Sequence, residues 1–442
     1  MRRTLTLMLL VFSQFAIAQV ITARSSNVIE GKLSTGARYR MEVPNIWNGS
    51  VLLYSRGYSS SIQGQIRVSP SSEKEQLISQ GYALIASNYS RSGWSLEEAV
   101  PDQLAVLDLF IQKFGQPKQV IAWGSSMGGL ITVALLERFP DRFDAGIALC
   151  SSASGTLGMM NTALDGAWVF STLVKNEVEL PIMLNQSGPS DQEHRATWKR
   201  AIDQAQITPL GRARIALAAS IAHIHPWAIG FAMPKLDDID SVQQGMKENL
   251  LAGVLLPRDD QEKRASGNFS WNYGVDYEQA LLKSSKYEIV KQLYQNAGKS
   301  LDDDLKKLAE SPRVVASKDA VSYMLKNYVP TGQMHKPFLL MQNVSDPMTL
   351  PEFTEDYRRN ADAAGYGNLV HTAYIERVGH CNFEQAEIIA SLHAIQIRLS
   401  LDKWKISAAA MNEMAGTNSF IENVPPELNR SCSSGPKGCV GW

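Results

Sequence analysis

The sequence predicts an α/β fold, in which a mostly parallel central sheet is flanked by helices. Up to Cys150, short apolar runs typical of buried strands alternate with helical segments. The alternation then stops and resumes near Pro337, with mainly helical sequence in between. Because parallel strands are joined by crossover helices, this order favours one sheet whose chain is interrupted by a helical insertion.

Each predicted core element is a short segment bounded by turn-forming residues. The predicted strands are two over Val28–Val43, joined by a turn at Ser34–Gly36, and single strands at Ser50–Tyr54, Tyr82–Ser87, Gln119–Trp123, Ala145–Cys150, Pro337–Gln342 and His371–Ile375. The predicted core helices are Glu73–Gln80, Pro101–Phe114, Leu130–Phe139 and Glu384–Leu399. Ala145–Cys150 is thus the sixth core strand.

At 442 residues, the chain has the length of two or three domains, or of one large domain with an insertion. We predict a signal peptide at residues 1–18, a core in two parts at 19–153 and 331–407, a helical insertion at 154–330, and an irregular tail at 408–442. The insertion is too long for a structureless loop and is rich in Trp, Tyr, Met and Leu. We therefore expect it to pack over the sheet as a lid.

The N-terminal residues have the features of a secretory signal peptide. Arg2 and Arg3 give a positive start, Leu5–Phe15 is mostly apolar, and residues 16–18 match an A-x-A cleavage site. The mature chain is expected to start at Gln19, which predicts a secreted or periplasmic protein. The apolar stretch is short for a bilayer and no later apolar run is long enough, so no stable membrane span is expected.

Export would permit disulfides, and the chain has four cysteines. Cys432 and Cys439 lie close together in a tail rich in Ser, Gly and Pro, which favours a local bridge between them. Cys150 and Cys381 could then pair with each other or remain free, and the sequence leaves both alternatives open.

The segment Gln119–Phe139 carries the strongest chemical signal in the chain. An apolar run leads into residues 124–128, GSSMG, which fit G-x-S-x-G, and an apolar helical face follows. In a strand, tight turn and helix of this kind, the central serine is exposed as a nucleophile. Ser126 is that serine, because centring the motif on Ser125 would put bulky residues at the glycine positions. A Gly/Ser-rich turn without chemistry is the alternative.

A serine nucleophile needs a base within hydrogen-bond reach, and in this kind of fold the base is a histidine far downstream. His371 would begin a strand, and His393 would lie within a helix. His380 follows Gly379 in a loop after a core strand, where an imidazole can reach the carboxyl edge of the sheet. We therefore predict His380 as the base, with an ordinary surface histidine as the alternative.

The base in turn needs an orienting acid that precedes it in the chain. Asp346 follows the strand Pro337–Gln342, in a loop that opens at the carboxyl edge of the sheet, and it is the predicted acid. A turn-initiating Asp before proline is the alternative role. Glu352, Glu355 and Asp356 are held in reserve, although they are typical of the first turn of the next helix.

An oxyanion intermediate needs two N–H donors that are already in position. One predicted donor is the backbone N–H of Met127, at the start of the helix after the nucleophile. The other is the N–H of Tyr58, because Gly57 lets the loop after strand Ser50–Tyr54 approach closely. An ordinary turn at this loop is the alternative.

These motifs together resemble those of the α/β-hydrolase superfamily. The matching parts are residues 56–58 (RGY) in place of a His-Gly-x oxyanion loop, the motif at 124–128, the Asp346 loop, and residues 378–380 (VGH). The resemblance implies an eight-stranded, mostly parallel sheet with a lid inserted after the sixth strand. The chain departs from the family pattern in having Arg56 where His is usual, and in the large size of its insertion.

The sequence indicates neither a cofactor nor a metal site. His223 and His225 form the only close histidine pair, and residues two apart on a helix do not share a face. Neither H-E-x-x-H nor C-x-x-C is present. The net charge of −1 and the lack of a basic cluster argue against nucleic acid as a partner. The oligomeric state is left open.

The sequence therefore predicts an exported serine hydrolase that cleaves carboxylic esters through an acyl-enzyme on Ser126. Its substrate would be a small-molecule or polymer-derived ester, because the apolar and aromatic insertion suits an uncharged group. The alternative is an exported aminopeptidase-like serine peptidase of the same superfamily. A non-catalytic binding member is a third hypothesis, and the presence of Ser126, Asp346 and His380 argues against it.

Overall fold

The computed structural model describes residues 26–182 and 191–432. The predicted signal peptide and its cleavage site lie outside the described residues, and so does Cys439, the predicted partner of Cys432. These expectations therefore stay predictions.

The sheet has nine strands in the order β1-β2-β4-β3-β5-β6-β7-β8-β9. The strands are β1 (Ser26–Lys32), β2 (Arg38–Pro44), β3 (Ser50–Ser55), β4 (Ala83–Ser87), β5 (Gln119–Ser125), β6 (Ala145–Leu149), β7 (Phe338–Ser345), β8 (Val370–Val378) and β9 (Phe420–Ile421). The sheet is mixed and mostly parallel, which confirms the predicted α/β class.

Helices connect and flank the strands. In chain order they are α1 (Lys74–Ser79), α2 (Leu96–Phe114), α3 (Met127–Arg138), α4 (Thr156–Val174), α5 (Asp191–Gln206), α6 (Pro209–Ile221), α7 (Ile239–Val254), α8 (Asp259–Arg264), α9 (Tyr277–Leu282), α10 (Tyr287–Asn296), α11 (Leu301–Glu310), α12 (Lys318–Tyr328), α13 (Pro351–Ala363), α14 (Gln385–Leu401) and α15 (Ala408–Ala415), with a short 3₁₀ helix at Pro140–Arg142. Helices α4 to α12 follow β6 and precede β7. That they act as a lid stays a prediction.

The chain divides into two compact units. The first contains the described residues up to Ala148, together with His335–Phe338 and Glu384–Lys405. The second contains Leu149–Met334, Leu339–Phe383 and the described residues from Ile406 onward.

The first unit is organised around the buried strand β3. This strand is parallel to β4 on one side and to β5 on the other. Strands β1 and β2 form an antiparallel hairpin, and β2 pairs antiparallel with β4. Nearly every side chain of β3, β4 and β5 is buried, as expected for strands that helices cover on both faces.

Helix α2 starts earlier than predicted, at Leu96 rather than Pro101. A proline is tolerated in the first turn of a helix, but within a helix it removes one N–H donor and crowds the preceding turn. Here the helix continues through Pro101, and Glu97 and Glu98 in its first turn interact favourably with the helix dipole. Gly115, at φ 87°, ends the helix as predicted.

The segment after residue 407 is more regular than the predicted irregular tail. Ser407 caps helix α15 by accepting a hydrogen bond from Ala410, and Gly416 at φ 66° ends the helix. The following β9 pairs antiparallel with β8 and is the ninth strand, where the resemblance implied eight. A two-residue strand has almost no local pattern, because it exists only through pairing with a distant strand.

The second unit contains three interacting ionisable side chains, of which His223 and Glu352 are buried and Lys286 is partly exposed. Nδ1 of His223 lies 3.8 Å from Oε1 of Glu352, and both side chains are buried. Burial raises the pKa of Glu352 to about 7, and the charge of Lys286 opposes that shift. Burial, with a smaller contribution from the Lys286 charge, also lowers the pKa of His223 to about 3. Glu352 therefore gains a proton in the folded protein, whereas His223 stays neutral.

Replacing Glu352 with Gln should change how stability depends on pH. The folded pKa of Glu352 lies above its ordinary value, so folding takes up a proton between about pH 4.5 and about pH 7. The free energy of unfolding of the wild type should fall across that interval because of this group. Glu352→Gln removes this contribution to the pH dependence. As pH rises from 4.5 to 8, the free energy of unfolding of the variant should therefore increase by roughly 3 kcal/mol relative to that of the wild type.

Denaturant unfolding at several pH values measures this difference, and Glu278→Gln is the matched control because Glu278 is exposed. Burial of His223 is common to both proteins, so its contribution to the pH dependence of stability largely cancels in the comparison. Parallel stability profiles for the wild type and Glu352→Gln would contradict the prediction.

Candidate active site

Ser126 stands between the end of β5 and the start of α3, in a strained backbone conformation. Its φ of 58° and ψ of −124° are unusual for a residue with a side chain. The carbonyl of Ser126 accepts a hydrogen bond from the N–H of Gly129 at 2.9 Å, which fixes the turn into the helix. The strand, tight turn and helix predicted around this serine are therefore present in the structure.

Two glycines are required here because backbone segments pass very close to one another. A Cβ on Gly124 would lie 2.2 Å from the carbonyl oxygen of Gly128. A Cβ on Gly128 would lie 1.9 Å from the carbonyl oxygen of Ser55, at the end of β3. No side chain fits at either position, so the spacing of the motif follows from sterics. Ser125 belongs to β5, and its hydroxyl accepts a hydrogen bond of 3.4 Å from Tyr54.

The loop after β3 approaches Ser126 at Gly57. A Cβ on Gly57 would lie 3.2 Å from Cβ of Ser126 and 3.7 Å from its Oγ. The Gly57–Tyr58 peptide is thus next to the serine, and Met127 is the first residue of α3. The two residues predicted as oxyanion donors therefore flank Ser126 within the first unit.

Gln103 is a buried residue near the end of β3 that the sequence patterns did not indicate. Its Nε2 donates to the carbonyl of Tyr54 at 2.6 Å and to Oγ of Ser55 at 2.9 Å. Its Oε1 accepts from the N–H of Ser87 at 3.0 Å. One amide thus ties the ends of β3 and β4 together. The one feature of the sequence that could have indicated it is the position of this polar residue on the apolar face of helix α2.

Asp346 and His380 form a hydrogen-bonded pair in the second unit. Nδ1 of His380 lies 2.7 Å from Oδ2 of Asp346, which is fully buried. Oδ1 of Asp346 accepts from the N–H groups of Met348 and Thr349 at 2.9 and 3.1 Å. Oδ2 also accepts from the Thr349 hydroxyl at 2.8 Å and from Nε2 of Gln342 at 3.3 Å. The carboxylate is held from several directions, with one oxygen turned to the imidazole.

The partner carboxylate sets the electrostatics of His380. Burial acts to lower the pKa of His380, but the charge and the hydrogen bond of Asp346 outweigh it, so the pKa is raised above its usual value. A neutral imidazole that donates through Nδ1 to Asp346 presents the lone pair of Nε2. About a fifth of the His380 side chain remains exposed, at 22%. These are the properties that the predicted role of His380 as a general base requires.

The alternative candidates for the acid and the base lie elsewhere, some in the second unit and one in the first unit. Glu352, Glu355 and Asp356 belong to helix α13, where Glu355 forms an ion pair of 2.6 Å with Arg358. His371 is part of β8 and His393 is part of α14. Of the predicted site residues, the structure brings Asp346 and His380 together in the second unit, and Ser126, Met127 and Tyr58 together in the first.

A disulfide joins Cys150 to Cys381, which answers a question the sequence left open. Cys150 directly follows β6, and Cys381 directly follows His380. The Sγ of Cys381 lies 3.6 Å from Nε2 of His380. The bridge therefore ties the loop of the base to the end of a strand. Because the two sulfurs are bonded to each other, they offer no thiolate to a metal ion.

Gly379, on the other side of His380, is fixed by hydrogen bonds to β7. Its N–H donates to the carbonyl of Ser345 at 2.9 Å, and its carbonyl accepts from Nδ2 of Asn343 at 2.8 Å. The chain before and after His380 is thus anchored independently of Asp346. This limits how far the imidazole can move away from its carboxylate.

An exposed apolar side chain lies against the His380 loop. A Cβ on Gly379 would lie 3.2 Å from Cδ1 of Ile229, yet 71% of Ile229 is exposed. The segment that carries Ile229 is held at the carbonyl of Trp227, which accepts from Oγ of Ser345 at 2.6 Å and from Nδ2 of Asn249 at 2.8 Å. Ile229 therefore presents an apolar surface next to the His380 loop.

Comparisons with known proteins point to hydrolases. A model of the prolyl oligopeptidase family matches residues 77–179, which include β5, Ser126 and α3. The chain is 27% identical to the o-phthalyl amidase of Xanthobacter agilis over 442 residues, covering 91% of this chain and 96% of that protein.

Similar solved structures include an esterase and a peptidase. Feruloyl esterase B of Aspergillus oryzae is 14% identical, with a TM-score of 0.42, over 85% of this chain and 80% of that chain. The acylaminoacyl peptidase of Pyrococcus horikoshii is 11% identical, with a TM-score of 0.37, over 83% of this chain and 39% of that chain.

The strand order, the helices between the strands and the turn at Ser126 are those expected from the resemblance to the α/β-hydrolase superfamily. The match to the prolyl oligopeptidase family agrees with that resemblance. This match and the o-phthalyl amidase relative support a serine hydrolase. Among the described residues, no helix combines the length and the hydropathy needed to cross a bilayer.

Asp346→Asn should lower both the activity and the pH at which activity appears. The base must be neutral to accept a proton, so activity rises as pH rises through the pKa of His380, which Asp346 raises above 6.5. Without the carboxylate charge, burial dominates and the apparent pKa should fall. The wrong tautomer is then favoured, and kcat should drop by roughly three to four orders of magnitude.

The pH dependence of kcat/KM measures both the loss of activity and the shift of the apparent pKa. Glu352→Gln is the control, because Glu352 is one of the alternative candidates for the acid. Near-normal activity of Asp346→Asn together with an inactive Glu352→Gln would show that the acid has been misassigned.

Proposed function

We propose that the chain is an exported serine hydrolase that cleaves uncharged aryl or alkyl carboxylic esters, with Ser126, Asp346 and His380 as its catalytic triad. The observation that carries the proposal is the strained turn at Ser126, because strained residues cluster at functional sites and the G-x-S-x-G motif requires such a turn between strand and helix. The hydrogen-bonded Asp346–His380 pair supports it, since a base and an orienting acid are what a serine nucleophile requires.

In the proposed reaction, Oγ of Ser126 attacks the ester carbonyl while Nε2 of His380 takes its proton. Asp346 holds the imidazole through Nδ1 and stabilises the imidazolium that forms. The carbonyl oxygen becomes an oxyanion, which accepts hydrogen bonds from the N–H groups of Met127 and Tyr58. The C–O bond then breaks, and the leaving alcohol receives the proton from His380. Water then attacks the acyl-enzyme carbonyl while His380 takes its proton. The bond to Oγ of Ser126 breaks, and His380 returns the proton to Ser126 as the carboxylic acid leaves.

The apolar surface next to His380 supports an uncharged substrate. Ile229 lies against Gly379, and it is followed by the exposed apolar residues Phe231, Met233 and Leu236. Exposed apolar groups beside reactive ones are typical of sites that bind apolar ligand groups. An alkyl or aryl group of an ester would bury this surface on binding.

The acidic residues of the insertion do not support an aminopeptidase. A peptidase that removes N-terminal residues must pair a buried ammonium group with carboxylates, because burying it unpaired costs too much. Acidic residues of the insertion that are exposed to solvent include Glu177, Glu179, Glu193, Asp237 and Asp240. Carboxylates that are already solvated have little to offer a buried ammonium group.

An amidase is the second candidate, because the o-phthalyl amidase of Xanthobacter agilis is similar over 91% of this chain. The proposed triad could serve either reaction, since His380 can protonate a leaving amine as well as an alcohol. An amide of an aromatic acid carries no free ammonium group at the scissile bond. It would therefore fit the same apolar surface at Ile229 that supports an ester.

Export is proposed from the N-terminal sequence and is supported by the Cys150–Cys381 disulfide, since disulfides persist mainly in oxidising compartments. N-terminal sequencing of the protein recovered from the medium or periplasm should begin at Gln19. Recovery of the full-length chain from the cytoplasm alone would contradict export.

The mature enzyme should prefer an uncharged ester to an aminoacyl amide with a free amine. We expect at least about a tenfold higher kcat/KM for the p-nitrophenyl ester of an uncharged aromatic acid than for an aminoacyl p-nitroanilide, or about 1.4 kcal/mol. Ser126→Ala should reduce turnover by about 10⁴-fold or more. Ser125→Ala is the matched control and should stay near wild type.

The p-nitroanilide of the same aromatic acid separates the two candidate functions. If its kcat/KM equals or exceeds that of the ester, the chain is an amidase. Rapid release of an N-terminal residue from an unblocked peptide, with poor ester turnover, would favour the peptidase. Full activity of Ser126→Ala would refute all of these functions together.

A further inference from the structure

Arg56 lies in the loop beside Ser126, where the superfamily pattern has histidine, and its guanidinium contacts this loop directly. Its Nη1 donates to the carbonyl oxygen of Gly57 at 2.9 Å. That carbonyl and the N–H of Tyr58 belong to the same peptide group. A hydrogen bond to the oxygen therefore acts on the N–H that is proposed to bind the oxyanion.

We propose that Arg56 is a positioning residue that strengthens the Tyr58 N–H as an oxyanion donor by polarising the Gly57–Tyr58 peptide group. This inference rests on the proposed function, because it requires an oxyanion to form at Ser126. The peptide group is a conjugated unit, so a cation that draws electron density to its oxygen makes the N–H a better donor. Linked hydrogen bonds strengthen one another in this way inside proteins.

The charge of Arg56 is suited to this role because its partners are neutral. Nη2 donates to the carbonyl of Asn88 at 2.8 Å, and the guanidinium lies 4.6 Å from the centre of the Tyr89 ring. The Tyr89 hydroxyl donates to the carbonyl of Arg56 at 3.0 Å, which fixes the same loop. Within the described part of the chain, no Asp or Glu forms an ion pair with Arg56. The field of this cation is therefore not cancelled by a neighbouring anion.

A structural role alone gives no reason for a charged side chain here. Both acceptors are backbone carbonyls, which a neutral amide could also bind, whereas partial burial makes a guanidinium costly. Burial does lower the pKa of Arg56, the direction expected when a cation loses water without gaining a carboxylate. The polarised peptide is also well placed, since a Cβ on Gly57 would lie 3.7 Å from Oγ of Ser126.

The test compares Arg56→Lys with Arg56→Gln. Neither replacement reproduces the forked guanidinium with which Arg56 binds the two carbonyls, so both should lose some of its geometry, but only Lys keeps the charge. Removing a whole oxyanion donor costs about 10²–10³ in kcat, so weakening one should cost Arg56→Gln about tenfold relative to Arg56→Lys. KM should change little. Arg67→Gln, which removes an exposed cation from the same unit, is the control.

A second readout follows the oxyanion itself. An aryl trifluoromethyl ketone labelled with ¹³C at the carbonyl should form a hemiketal with Ser126, and its ¹³C shift reports ionisation of the hemiketal oxygen. The pKa of the hemiketal should be about one unit higher in Arg56→Gln than in Arg56→Lys, corresponding to the tenfold difference. Arg67→Gln should match the wild type.

Equal kcat and equal hemiketal pKa in Arg56→Lys and Arg56→Gln, in an enzyme whose wild type forms the adduct, would overturn the role of Arg56 alone. A wild type that forms no hemiketal at Ser126, or undiminished turnover by Ser126→Ala, would overturn the proposed function and the Arg56 inference with it. The two failures are therefore distinguishable.

Discussion

The close contact between the start of α3 and the end of β3 is the constraint on which the first unit depends. A Cβ on Gly128 would lie 1.9 Å from the carbonyl oxygen of Ser55, so the helix can begin there only with glycine. That contact forces the chain to turn sharply at Ser126, which takes φ 58°. It also brings the loop after β3 against the serine at Gly57. The same steric limit therefore acts on both the proposed nucleophile, Ser126, and the proposed oxyanion loop.

The second unit holds a loop histidine, His380, against the buried carboxylate of Asp346. It does so with covalent and hydrogen-bonded anchors on both sides of His380. Thr349 links these anchors, because its hydroxyl lies 2.8 Å from Oδ2 of Asp346 and 2.9 Å from the carbonyl oxygen of Cys150. The end of β6 therefore lies within hydrogen-bond distance of the Asp346 loop and is joined to the His380 loop by the disulfide. Precise placement of the imidazole is what general base catalysis requires.

The sequence was informative where the deciding interactions are local. Alternating apolar runs identified the α/β class, and the glycine spacing identified the turn at Ser126, because both depend on neighbouring residues. It was uninformative where the partner is distant in the chain. Cys150 and Cys381 are 231 residues apart, and the β8–β9 pairing joins strands with no shared local pattern. Gln103 was missed because a buried amide in a helix is indistinguishable from an exposed one until its acceptors are known.

Asp346 and Glu352 show most clearly what surroundings add to residue type. Both are buried carboxyl groups within one short stretch of chain, and the sequence could only rank them. Asp346 accepts hydrogen bonds from backbone, amide and hydroxyl donors, and one of its oxygens faces an imidazole. Among the described residues, Oε2 of Glu352 has no hydrogen-bond partner, and burial raises its pKa to about 7. A group that holds its proton near neutral pH cannot stabilise an imidazolium well, so the surroundings favour Asp346 over Glu352 as the proposed acid.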